Sequence, residues 1–127
     1  MMDISVQNAL IARAIKAGPY EVCGFILSDA EIVDIANVSD CPTKGFAMCA
    51  SDYEEKIGGL AGLITGIWHT HPSGIGYPSQ TDLYAIKCGA IESHWDYYIV
   101  TRSSLFHFDT KLYAPQDDPR YWESLVR

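Results

Sequence analysis

Leu63-Ile64-Thr65-Gly66-Ile67-Trp68-His69-Thr70-His71-Pro72 is an apolar run that ends on a His-x-His pair, and Ser79-Gln80-Thr81-Asp82 follows it after a loop rich in Gly and Pro. The run from Leu63 to His69 reads as a buried strand. Ser73 to Pro78 reads as loop, and Ser79 as the start of a helix through about Ala90 with Leu83, Ile86 and Ala90 turned inward. Residues i and i+2 of a strand face the same way, with Cα atoms roughly 6–7 Å apart, so both imidazoles can converge on one ion. Ser79 and Asp82, three apart, share a face where the helix opens. Two histidines and a carboxylate with one position left open are the ligand set of a catalytic rather than a structural zinc. Ser79-x-x-Asp82 is also an ordinary capping box, and the two readings are compatible.

Upstream, residues 3–17 predict a helix. Val6, Leu10, Ile11, Ala14 and Ile15 recur at helical spacing, and Gly18-Pro19 stops it. Glu21 opens Val22-Cys23-Gly24-Phe25-Ile26-Leu27, an apolar run that suits a central strand. Ser28-Asp29 makes a turn, and Glu31 to Ala36 alternates as a half-buried partner strand, so a hairpin is expected. Residues 37–50 read as loop with a short strand around Phe46-Ala47-Met48. Ser51 is the expected N-cap of a short helix from Asp52 to about Ile57, with Glu54 completing a capping box and Gly58-Gly59 ending it.

Downstream, Trp95 to Thr101 and Ser104 to Phe108 predict two strands around a turn at Arg102-Ser103. Trp68, Trp95, Tyr97 and Tyr98 are expected to fill the core, and His94 and His107 lack ligand spacing. Residues 1–113 are expected to form one domain, and 114–127 an exposed tail with one helical turn at Tyr121 to Val126. The element order implies an α/β fold, a single-domain α-β-α sandwich on a mixed sheet.

A chain of 127 residues that is 48% hydrophobic is one folded domain's worth. The net charge of −7 and the scatter of nine Lys and Arg residues argue against a nucleic-acid partner. No stretch approaches the ~20 apolar residues of a membrane span. Asp3 and Gln7 interrupt any signal-like segment, so a cytoplasmic location is expected. Cys23, Cys41, Cys49 and Cys88 form no Cys-x-x-Cys and read as reduced, mostly buried small hydrophobes.

His69-x-His71-Pro72, six residues, Ser79, two residues, Asp82 resembles the JAMM signature of the MPN/JAB metallopeptidases. Pro19-Tyr20-Glu21-Val22-Cys23-Gly24-Phe25 resembles the Pro-x-Glu-x-Cys-Gly-hydrophobic element of bacterial and phage members. The resemblance spans residues 3–110. It implies a curved mixed sheet with a deaminase-like layout, and one zinc (Zn2+) per chain held by His69, His71 and Asp82. Glu21 then handles the proton of a zinc-bound water that attacks a peptide or isopeptide bond. Asn37 and Pro42 before Phe46, Ser51-Asp52-Tyr53, and Trp95 to Val100 look most like the N-terminal domain of bacteriophage tail-tip assembly proteins. The implied substrate is a protein or peptide, a ubiquitin-like or phage tail protein among the candidates. Many members dimerise, which leaves the state of this chain open.

The chemistry also follows without the family. Zinc acidifies its water toward a pKa of ~7, and an ionised Glu21 beside it suits a general base that then acts as acid. Ser79 is placed to donate its hydroxyl to the developing oxyanion. Cys23 reads as a packing residue, and Tyr77, in the loop beside the metal, as either a substrate contact or a lid residue. Three rivals stand beside the peptidase. The first is a non-catalytic assembly module on the same fold. The second is a RadC-like protein, whose His-x-His-Pro-Ser-Gly wording matches but which lacks the Pro-x-Glu-x-Cys-Gly start. The third is a zinc deaminase, whose Pro-Cys-x-x-Cys is missing here.

Overall fold

The computed structural model describes residues 2–88, 91–92 and 94–109. The elements are α1 (Ile4–Ala17), β1 (Cys23–Leu27), β2 (Ile32–Ile35), α2 (Ala50–Lys56), a 3-10 segment (Gly58–Leu63), β3 (Ile64–Thr70), α3 (Gln80–Lys87), β4 (Asp96–Val100) and β5 (Leu105–Asp109). The strands make one sheet in the order β2-β1-β3-β4-β5. β1 is antiparallel to both β2 and β3, β3 runs parallel to β4, and β5 returns antiparallel. The parallel step needs a crossover, and α3 lies within it. The sheet is mixed, as expected, with helices on both faces.

Each face buries its own cluster. Leu10 and Ala14 of α1 pack on Ile26, Trp68, Tyr98 and Val100. On the other face Phe25, Ile67, Tyr97 and Ile99 meet Ile57 and Ile86, with Tyr53 and Trp95 against them. β1 and most of β3 are covered on both faces, which is why they read as continuous apolar runs. Gly24 is where the sheet requires glycine: a Cβ there would strike the Val33 carbonyl oxygen and the Trp68 ring. The α1 terminus behaves as its sequence suggests. Asp3 accepts from the Ser5 backbone N–H, and Gly18 ends the helix at φ 61°.

Several expectations need correction. Ser51 is not a cap: α2 begins at Ala50 behind Cys49, with no side-chain cap. The Asp52 carboxylate instead accepts the Ala36 N–H at 2.7 Å, and Lys56 donates to the Asp34 carbonyl at 2.7 Å. These groups lie along the outer edge of β2, which would otherwise present unpaired backbone. Gly58-Gly59 ends α2 but continues into the 3-10 segment rather than into coil. The strand expected around Phe46 to Met48 is reduced to a single bridge, Asn37 to Met48. Ile15 is 59% exposed, off the buried stripe of α1. Among the cysteines only Cys23 is buried, because the other three lie in a loop or at helix ends. Ala90 and the tail 114–127 lie outside the described residues.

Candidate metal centre

The sheet register builds the site. β1 and β3 pair Cys23 with His69 and Gly24 with Trp68. Two further steps along the same antiparallel pairing bring Glu21 opposite His71, and the Thr70 N–H donating to the Val22 carbonyl at 2.9 Å continues the ladder between them. Directly opposed residues share a face. Glu21, His69 and His71 therefore all point to the α3 side of the sheet, at the carboxyl end of β3. That is where open α/β sheets collect their ligands.

α3 brings the fourth group. His69 Nε2 and His71 Nε2 are 2.8 Å apart, and each is 3.1 Å from Asp82 Oδ2. These separations are slightly inside the ~3.3 Å expected between ligands of a tetrahedral zinc with bonds near 2.0–2.1 Å. Ligand atoms of Glu21, His69 and His71 also lie within 4.8 Å of one another. Asp82 makes the tighter set, and Glu21 stands beside it. All four are buried: His69 is 0% exposed and the other three 7%.

The donor chemistry fits a cation. His71 Nδ1 lies 2.8 Å from the Ile75 carbonyl, which can only accept, so Nδ1 carries the proton and Nε2 presents a lone pair. Asp82 Oδ2 adds a second acceptor. Only one proton, on His69 Nε2, could then serve the whole triangle, and it would leave His69 Nδ1 a bare lone pair in the core. His69 Nδ1 has no partner among the described residues. A positive ion satisfies the three converging atoms together.

Electrostatics agree. Burial holds His69 below its ordinary range and therefore neutral, against the opposing Asp82 carboxylate. For His71, burial also works against the charge, but the hydrogen bonds to Asp82 and Ile75 outweigh it and raise the group. A ligating imidazole must be neutral, so a cation reverses that sense. Burial opposes ionisation of Asp82, and the hydrogen bonds from both histidines override it and hold the carboxyl far below its usual range. Burial lifts Glu21 to about 7, opposed by His71 and reinforced by Asp82.

Ser79 is the N-cap of α3. Its backbone N–H donates to Asp82 Oδ2 at 2.9 Å, and its Oγ accepts the Asp82 N–H at 3.0 Å. The capping box and the candidate ligand are thus one structure, and the Ser79 hydroxyl keeps its own proton to donate. Tyr77 is 74% exposed at the mouth of the cleft formed by Glu21, His71 and Ser79. Burial pushes the Cys23 thiol up to about 12, so it is a packing residue and no nucleophile. His94 and His107 are exposed and away from the cluster.

Four residues support the site through contacts that no local pattern in the sequence predicts. Asn37 Nδ2 donates to the Glu21 carbonyl at 2.9 Å and to the Gly45 carbonyl at 3.1 Å, while its Oδ1 accepts from Ser39 and Ala47. The Glu21 N–H donates to the Pro42 carbonyl at 2.7 Å, so the backbone of Glu21 is held from both sides. Thr70 Oγ1 accepts the Val22 N–H. Phe46 lies 4.6 Å from the His69 ring and walls it in. The sequence marks Asn37, Pro42 and Phe46 only through the family resemblance, and no local period gives them these contacts.

A mixed α/β sheet with a buried His, His, Asp cluster at a strand end and a glutamate just ahead of the adjoining antiparallel strand has the layout of a JAB-type domain. The chain belongs to that family: the model of prokaryotic homologs of the JAB domain matches residues 3–111. No curated protein matches the chain.

Proposed function

We propose that the protein is a zinc-dependent peptidase that hydrolyses a peptide or isopeptide bond in a protein or peptide substrate. The observation that supports this best is the convergence of His69 Nε2, His71 Nε2 and Asp82 Oδ2 to within 3.1 Å of one another, with Glu21 alongside. Zinc held by these three groups, when bound, supplies a Lewis acid and an acidified water. The remaining work falls to the chain. His69 and His71 offer neutral Nε2 lone pairs, the first because it is buried and the second because Ile75 orients its Nδ1–H. Asp82 offers an ionised carboxylate, with Oδ2 also accepting the Ser79 N–H where α3 begins. Glu21 takes a proton from the attacking water and passes it to the departing amine, the part of a general base that then serves as acid. The Ser79 hydroxyl donates to the oxyanion, where one such donor contributes about 2.7–4 kcal/mol.

A place in phage tail assembly is the narrower form of this proposal. It rests on Asn37 and Pro42 before Phe46, on Ser51-Asp52-Tyr53, and on Trp95 to Val100. The test is a peptide-library cleavage screen of the zinc-loaded protein and its Glu21→Gln variant. Cleavage by the first alone, with equal zinc in both, is the expected result. One zinc per chain with no cleavage by either would favour a non-catalytic assembly module on this fold.

A further inference from the structure

The Ile75 carbonyl, which accepts the His71 Nδ1–H at 2.8 Å, belongs to a loop with few ties of its own. The Ile75 and Tyr77 side chains are exposed. The nearby hydrogen bonds are local: Gly74 N–H donates to the His71 carbonyl at 3.0 Å, and Ile75 N–H to Ser73 Oγ at 3.3 Å. The sheet reaches this loop through Phe106 of β5. β3 pairs His69 with Ile99 of β4, and β4 pairs Ile99 with Phe106, so the three side chains form one row on the same face. At the end of that row the Phe106 ring lies against Gly76, where a Cβ would come within 2.5–2.7 Å of three ring atoms. Gly76 is not among the glycines with positive φ, so its conformation does not demand glycine; the approach of the ring does. The Ile75 carbonyl and the Gly76 Cα belong to one planar peptide unit, so a ring seated on Gly76 fixes the direction of that carbonyl. Phe106 itself is 37% exposed on an edge strand, where core packing asks little of an aromatic side chain.

We propose that Phe106 is a positioning residue for the metal centre: its ring, seated on Gly76, holds the Ile75–Gly76 peptide so that the Ile75 carbonyl keeps the His71 Nε2 lone pair aimed at the ion. The assignment rests on the zinc-site reading for its use, but it is measured without turnover. Two measurements on the full chain test it: zinc affinity by competition with a chelating dye, and 1H–15N NMR of the His71 Nδ1 proton in the metal-free protein. Phe106→Ala removes the ring, and Gly76→Ala drives ring and loop apart. Each should weaken zinc binding about tenfold, the lower end for lost outer supports of a metal ligand, and speed exchange of the Nδ1 proton with water. Phe106→Tyr keeps the ring and should give wild-type values in both. The double variant should also lose about tenfold rather than about a hundredfold, because both changes break one contact. Leu105→Ala is the structural control. It removes packing by the same strand on the opposite face of the sheet, so it should lower Tm and leave zinc affinity and the Nδ1 proton unchanged. Unchanged affinity and exchange in both single variants, additive losses in the double variant, or an equal loss in Leu105→Ala overturns the proposal. A wild type that binds no zinc would refute the metal-centre reading alone, and exchange of the His71 proton would still decide the role of Phe106. Zinc binding with the expected losses but no peptide cleavage would count against the peptidase reading only.

Discussion

Histidine meets aspartate twice in this molecule, with opposite consequences. On β4 and β5, His107 Nε2 lies 2.9 Å from Asp96 Oδ1, with both side chains about half exposed. At the end of β3, His69 and His71 lie 3.1 Å from Asp82, and all three are buried. The distances are nearly the same. What differs is solvent and convergence: water screens the outer pair, and its His107 ring is free to stack on Tyr98. The inner cluster is buried, so its lone pairs are screened far less and have no second use. A pair distance therefore says little, whereas three buried acceptors aimed at one point say a good deal.

The comparison can be broken most severely at Asp82. Asp82→Ala is expected to reduce zinc from one equivalent per chain to none, measured by elemental analysis. A chelator should then lower the Tm of the zinc-loaded wild type and leave the variant unmoved. Next comes Glu21→Gln, which should cut kcat by about 10²–10⁴-fold with zinc retained. The same variant tests the burial of Glu21 in the metal-free protein. The folded carboxyl sits near 7 against an ordinary 4.5, so the folded state holds its proton more tightly. Wild type consequently loses stability as pH rises from about 4.5 through 7, while Gln is neutral throughout. Denaturant unfolding should find metal-free Glu21→Gln more stable by about 1–3 kcal/mol at pH 8, with the gain gone below pH ~5. Equal stability at both pH values would contradict the burial argument.

Asn37→Ala releases the Glu21 carbonyl without touching a ligand. Activity should fall about 10–100-fold at unchanged zinc content, as when outer supports of a metal site are lost. The smallest effect belongs to the outer pair. His107→Ala should change stability by less than about 0.5 kcal/mol in thermal melts and leave zinc content alone. A large effect there would erase the contrast between the two clusters.

The parts of the fold legible in the sequence are those governed by local physics. α1 and its ends follow from an apolar stripe, Asp3 and Gly18. The β1-β2 hairpin follows from alternation and a turn. Ser79-x-x-Asp82 was readable as a capping box and is one. Where expectation failed, a distant partner had intervened. Ser51 was assigned as the cap of α2, but the helix starts at Ala50 without one, and Asp52 in its first turn bonds to the β2 edge through Ala36. Cys41, Cys49 and Cys88 were read as buried because cysteine usually is, but their burial depends on what packs over loops and helix ends. Asn37 and Phe46 escaped assignment because their roles exist only across long-range contacts.

The His-x-His spacing on a strand, the Ser-x-x-Asp of a helix start and the apolar runs between them were determined by the sequence alone, since each depends on the 2.0 or 3.6 period of one element. That Glu21 faces His71, that Asp82 reaches both imidazoles, and that Asn37 holds the backbone of Glu21 were decided only by the tertiary structure. Sheet register sets Glu21 against His71 across 50 positions, helix docking sets Asp82 against His69 across 13, and no local period encodes either.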